Sequence, residues 1–302
     1  MLISSSALEE LRQRRRCLRS GAKVLRMEDA AAYINERGFV PLWPLTSYPL
    51  PSLSEADGNP KPRGWSERAW DWKEQLPGDK LCAYSKFFGG RGTFFSWGAF
   101  PYFWALYGRS GDYEEQYADG LLDRLELRIL RHLSESGETD SRRLWREVKG
   151  LAEGKRTRFT AALTRLQEGF WITVSGGSLE GWSLHYWDLL DRHVPEDALA
   201  YRPTKETAHD RLTLIYLENA VLGDARQVAR LFRWNVKVAE ESLARLERSG
   251  EVTSDVRCEG AAGRSKCYML VTAVQEVRGL SSDRGDGGVR GDRGRWAPAK
   301  EA

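Results

Sequence analysis

Residues 155–177 read KRTRFTAALTRLQEGFWITVSGG, and within them the spacing of the apolar residues changes. Phe159, Ala162, Leu163 and Leu166 recur at helical intervals, and Gly169 supplies the stop. From Phe170 onward the pattern becomes a short β-rich run that ends in paired glycines. GWSLHYWDLL at 181–190 reads as the returning strand of a hairpin. Upstream, GLLDRLELRILRHLSES at 120–136 places Leu122, Leu125, Ile129, Leu130 and Leu133 at helical spacing. TDSRRLWREV at 139–148 offers Thr139 or Asp140 as the N-cap of a short second helix. The order is therefore three helices and a hairpin.

The same order recurs downstream. TKETAHDRLTLIYLENA (204–220), DARQVARLFRW (224–234) and NVKVAEESLARLERSG (235–250) are the three helices. EVTSDVRC (251–258) and KCYMLV (266–271) are strands joined by EGAAGRS. Helix–helix–helix–hairpin in a short span, twice over, is the layout of tandem winged helices. The expected fold is α+β, mainly helical, with an aromatic-rich module preceding the pair. Expected boundaries are a basic flexible segment at 1–26, the N-terminal module at 27–120, winged helices at 121–200 and 201–277, and a disordered Gly/Arg-rich tail at 278–302.

The N-terminal module opens on a helix over 27–37 that should end at Gly38. GFVPLWPL follows at 38–45, and its two prolines exclude a regular helix or a central strand. Thirteen aromatic residues lie between Tyr84 and Tyr117. Bases stack on such rings, but the commoner use is core, here expected to join the module to the first winged helix.

Composition sets outer limits. The 302 residues carry a net charge of +3 and are 41% hydrophobic and 29% charged, with a mean hydropathy of −0.54. No apolar run approaches the roughly 18–20 residues of a membrane span. RQRRR at 12–16 has no apolar core behind it and does not read as a secretory signal. Cys17, Cys82, Cys258 and Cys267 are scattered; although the last two flank a hairpin, the set reads as reduced thiols. The four histidines show no zinc spacing, and neither a metal nor an organic cofactor is expected. The chain reads as cytoplasmic, with duplex DNA as partner, damaged or distorted duplex included, and no membrane.

Charge distribution selects the DNA-facing unit. In the third helix of the first unit, Thr157, Arg158, Ala161, Thr164 and Arg165 fall opposite the apolar stripe. Lys155 and Arg156 stand at its start, where phosphates are met, and Arg142 and Arg143 are on the helix before it. The matching helix of the second unit sets Glu240, Glu241 and Glu247 against Lys237, Arg245 and Arg248. Adjacent glutamates repel phosphates, so the second unit reads as a packing or protein-contact module.

From about residue 27 to about 275 the chain resembles the AlkZ/YcaQ-like winged-helix family of bacterial DNA glycosylases, and more closely its glycosylase-related members. RGFVPLWPL, PSL at 51–53, WDWKEQLPG at 70–78, YSKFFGGRGTFFSW and FPYFWALYG carry the resemblance. It implies winged helices around a concave basic groove, and excision of alkylated bases or unhooking of crosslinks without a cofactor. It also implies a Gln-x-Gln or Gln-x-Asp motif after the first helix that orients water at C1′ of the sugar. Here that position is Pro41-Leu42-Trp43, followed by a matching Pro44, and both catalytic polar residues are missing. The larger glycosylases continue into a β-rich C-terminal domain, where this sequence reads as passing from the second winged helix into a tail, and HVP at 193–195 reads as a linker containing His193. Asp71, Lys73 and Glu74 lie near where the family has a His-Glu pair, and are the substitute candidates: an amine to attack C1′ and carboxylates to move protons. The simpler reading makes them surface charges flanking buried Trp70 and Trp72.

The expected function is a non-catalytic DNA-binding protein on a glycosylase scaffold. The alternatives are an active glycosylase or lyase with substitute residues, a winged-helix transcription regulator, and a protein-interaction module. A regulator usually adds a dimerisation helix or ligand domain, and neither is evident.

Overall fold

The computed structural model describes residues 1–58, 66–109, 111–178, 184–259 and 266–285. The chain begins with β1 (Leu2–Ile3) and α1 (Ser5–Arg15), capped by Ser4, whose hydroxyl accepts the Ala7 amide. This corrects the expectation of a flexible segment at 1–26. Ile3, Ala7, Leu8 and Leu11 form an apolar stripe hidden among arginines, and it packs on Val274 and Val277. Arg12 and Arg15 donate to the carbonyls of Ala220 and Glu218, at the end of a later helix where backbone acceptors are left over.

The N-terminal module follows. α2 (Met27–Arg37) ends at Gly38, whose φ of 77° favours glycine. β2 (Phe39–Pro41) is an edge strand, the place where a sheet tolerates proline. α3 (Leu53–Ala56) and α4 (Glu67–Gly78) precede a hairpin of β3 (Ala83–Phe88) and β4 (Arg91–Phe95), then α5 (Phe100–Tyr107) and α6 (Tyr113–Ala118). The antiparallel sheet has the order β2-β4-β3. Alternation along its strands splits its side chains between two cores. Val40, Tyr84 and Phe94 enter one, with α4 and the first helix–hairpin unit. Phe39, Phe87 and Phe95 enter the other, with α5 and the second unit.

In the first unit, α7 (Arg124–Ser136), β5 (Thr139–Asp140), α8 (Ser141–Val148), α9 (Arg156–Glu168), β6 (Ile172–Ser178) and β7 (Leu184–Leu189) follow in order. Asp140 is the N-cap, accepting the amides of Arg142 and Arg143. The strands pair as β5-β7-β6. The second unit has α10 (Lys205–Ala220), β8 (Leu222–Asp224), α11 (Ala225–Phe232), α12 (Val236–Arg248), β9 (Val252–Thr253), β10 (Arg257–Cys258) and β11 (Cys267–Leu270), with the order β8-β11-β9.

The predicted strand at 251–258 is thus divided: β10 leaves the hairpin and pairs in parallel with β1. Cys267 stands opposite Asp224 in the ladder. α13 (Val271–Gly285) packs on α1. The helix therefore runs beyond residue 278, and Leu280 is buried. The rest of the predicted tail, 286–302, lies outside the described residues.

The aromatic block is core, but it joins the module chiefly to the second unit. Phe232 of α11 meets Phe39 and Phe103 at ring separations of 6.1 and 6.2 Å, while Phe170 inserts from the first unit, 5.4 Å from Phe87.

Candidate functional site

The turn after β2 is fixed by its backbone. The Leu42 amide donates to the Gly92 carbonyl at 2.9 Å, and the Leu42 carbonyl accepts the Ser54 amide at 3.2 Å. Pro41 and Leu42 are buried, and Trp43 is half-buried against the same core. Gly92 has a second task. A Cβ there would stand 2.1 Å from the Tyr84 hydroxyl, so only glycine lets this ring lie across the strand. Burial pushes the Tyr84 phenol up, and the nearby Glu74 charge adds to the effect.

Glu74 belongs to a buried cluster that the surface-charge reading did not anticipate. Lys73 and Glu74 are each 2% exposed. Lys73 Nζ donates to Glu74 Oε1 at 2.5 Å and sits 3.8 Å from the centre of the Trp70 ring. His185 Nδ1, on β7, is 3.2 Å from the same carboxylate oxygen. The physical reason is that α4 packs on the hairpin β6–β7 as well as on α2 and β3, so Trp72, Lys73 and Glu74 are all covered. Asp71 stays on the partly open side. Gly177 admits the carboxylate, since a Cβ there would lie 2.0 Å from Glu74 Oε2. Burial pulls the Lys73 amine below the ordinary lysine range, and the Glu74 partner opposes that pull. The His185 side chain, 26% exposed, is the member of the set nearest to solvent.

The predicted face of α9 is where the helical period placed it. Thr157, Arg158, Ala161 and Arg165 are exposed, and Thr164 is half-buried beside the β3–β4 turn, 3.9 Å from a Cβ built on Gly90. Its cations are already partnered. Arg158 ion-pairs with Glu153, and Lys155 lies 3.6 Å from the same residue. Arg165 bridges Asp123 at 2.7 Å and Glu126 at 2.5 Å, the two side chains of the α7 capping box. The Arg156 guanidinium sits 4.3 Å over Trp145. Arg142 and Arg143 are exposed and make no ion pair among the described residues.

Sequence reasoning missed the flank of this helix. Gln167 in α9 is buried; its backbone carbonyl accepts the Ser85 hydroxyl at 2.8 Å, and its side chain accepts the Lys86 amide at 3.2 Å. That fastens β3 along α9, leaving Arg91 exposed at the tip. A glutamine one turn past Leu163, inside an apolar stripe, was the available signal. In the second unit Lys237 lies 3.8 Å from Glu241, but Arg245 is held by Asp210 of α10 at 2.7 Å and Glu247 by Lys266 at 2.7 Å, so the charges of α12 are met mostly from outside the helix. His193 is more than a linker residue, for Nε2 lies 3.2 Å from Asp188 and ties the end of β7 to the segment that follows.

Two short units, each of three helices closed by a hairpin, with an aromatic module wedged against both, define a fold shared with DNA glycosylases. Streptomyces sahachiroi DNA glycosylase AlkZ superposes with a TM-score of 0.60 at 14% identity, over 92% of this chain and 72% of that one. The sequence pattern of the AlkZ-related family matches residues 24–233, and the chain belongs to that family. No curated protein sequence matches it. Among the described residues no helix is long and apolar enough to cross a membrane, and no group of side chains has the make-up of a metal site.

Proposed function

We propose that the protein binds duplex DNA, damaged or distorted duplex included, and does not hydrolyse the glycosidic bond. Its two helix–hairpin units are read as tandem winged helices, the first facing DNA through α9 with Arg142 and Arg143 beside it. One observation carries the non-hydrolytic part: the turn at 41–43 is Pro-Leu-Trp, with Leu42 buried and its backbone committed to Gly92 and Ser54. Orienting water at C1′ and stabilising the oxocarbenium ion needs an amide or carboxylate, and none of these three side chains supplies one. The test is a binding titration against intact, abasic and alkylated duplexes, with the same mixtures assayed for released base and strand breaks. Binding without release at any pH is expected; release of base by the wild type overturns the reading.

The Lys73–Glu74–His185 cluster favours a second reading, an enzyme with substitute catalysts. Lys73 is lowered in pKa, as a nucleophilic amine must be, but at 2% exposure it meets a sugar only if α4 and the β6–β7 hairpin part. Release that disappears in Lys73→Ala, Asp71→Ala or Glu74→Ala would establish this reading and name the catalyst.

A further inference from the structure

A cleft of about 910 Å³ lies on the other side of the molecule's first helix, between α1, the end of α2, the end of α10 and the start of α13. Its volume falls in the range of small-molecule sites, roughly 300–1,000 Å³. Arg14, Arg15, Arg19 and Arg37 line it. Three of these have carboxylate partners: Arg14 with Glu10, Arg15 with Glu276, and Arg19 with Glu218 at 2.6 Å. Arg37 has none. It is 2% exposed, its Nη2 donates to the Cys17 carbonyl at 2.8 Å, and its buried Nε has no hydrogen-bond partner among the described residues. Glu218 and Glu36 are near enough to act on its charge, but both bind Arg19 instead, Glu36 through the Arg19 amide.

A buried guanidinium without a committed counter-charge is costly, and neighbouring groups normally prevent it. On the far side of Arg19, Arg37 and Glu218 a second cavity of about 300 Å³ adds Arg211, which makes no ion pair among the described residues. Guanidinium groups that converge from different elements match the geometry of phosphate oxygens. Two of the four walls, α1 and α13, lie outside residues 24–233, the span that the family pattern matches.

We propose that the cleft binds a small molecule through a phosphate group, with Arg37 supplying the unpaired charge and Arg19 and Arg211 the rim. The probes are inorganic phosphate and a deoxynucleoside 5′-monophosphate, added to the full chain at constant ionic strength with chloride as the balancing anion. Expected is a saturable rise of a few degrees in the thermal midpoint. Arg37→Met, which keeps the stem and removes the charge, should fold and lose the response. Arg19→Gln, an exposed position, should raise the half-saturating concentration severalfold. Duplex affinity should be the same in both variants as in the wild type. A 5′-phosphorylated duplex that competes with phosphate where the unphosphorylated duplex does not would uphold the site and identify a DNA end as the source. The proposal is overturned if the midpoint does not respond beyond chloride, or if it responds equally in Arg37→Met and Arg19→Gln.

Discussion

Glu74→Gln is the substitution that most directly tests the buried cluster. It keeps the size of the side chain and removes the charge next to Lys73 Nζ, 2.5 Å away in a site that is 2% exposed. Breaking a buried pair from one side typically costs about 3–5 kcal/mol, because the surviving charge is left without compensation. For a chain of this size that is a fall in melting temperature on the order of 10 °C. The pH dependence follows from Lys73. Burial already holds its folded-state pKa below the ordinary 10.5, and Glu74 resists the fall. Without Glu74 the folded pKa drops further, while the unfolded value does not move. Between the two values the unfolded chain binds the extra proton, so stability rises as pH rises through that window. Glu74→Gln should therefore be weakest near neutrality and regain stability toward pH 10, over a wider span than the wild type. Lys73→Met/Glu74→Leu, which removes both charges, should come back to within about 1–2 kcal/mol of the wild type. Thermal melts from pH 6 to 10 read all three proteins. A loss below about 1 kcal/mol for Glu74→Gln, or a loss that does not vary with pH, would refute the burial argument.

Arg142→Gln/Arg143→Gln should weaken duplex binding and reduce the log–log salt slope by about 2, with little change in stability. Lys237→Ala/Arg245→Ala should leave that slope nearly unchanged, and fluorescence anisotropy at several salt concentrations compares the two; the opposite ranking would assign DNA to the second unit. Trp43→Ala removes a half-buried ring and should cost about 2 kcal/mol in denaturant titration, less than the roughly 3–5 of a fully buried tryptophan. A loss at the top of that range would show the ring to be core throughout. Gly92→Ala places a methyl on the Tyr84 hydroxyl and should cost about 1–3 kcal/mol. Gly92→Ala in a Tyr84→Phe background should recover part of that loss, and no recovery would mean that the conflict lies elsewhere.

The repeat was visible in sequence because each unit announces itself twice, by helical stripes such as Phe159–Leu163–Leu166 and by the change of period at a glycine. The outward face of α9 followed from the same spacing. Two things were hidden for physical reasons. A helix packed on two sides loses its single stripe, so WDWKEQ in α4 looked amphipathic where it is enclosed. An arginine-rich segment can also be folded when its charges have acceptors to meet. Arg12 and Arg15 find theirs at the end of α10, more than two hundred residues away, and no local pattern reports that. Partnering of Arg165 was invisible likewise, since Asp123 and Glu126 reach it through the tertiary fold, whereas Glu153 meets Arg158 from only five residues away.

The partnered arginines and the buried pair bear on function in opposite ways. Exposed ion pairs are weak, each worth about 1 kcal/mol or less, so Glu153 can give up Arg158 to a phosphate at little expense. The face of α9 is thus held in shape without being closed to DNA. Lys73–Glu74 is different in kind. Apolar residues of the same size would serve a core at least as well, often better by about 1–4 kcal/mol. Stability alone therefore does not account for a lysine and a glutamate in that position, 3.2 Å from a histidine that reaches the surface. Lys73→Met/Glu74→Leu separates the two roles in a single protein. If it melts like the wild type and binds distorted duplex equally well, the pair is a remnant of the scaffold. Should it melt like the wild type yet lose preference for distorted over regular duplex, the pair acts through His185 and the β6–β7 hairpin on what that hairpin touches. Packing has then set the shape of the unit, and the buried charges have set what it recognises.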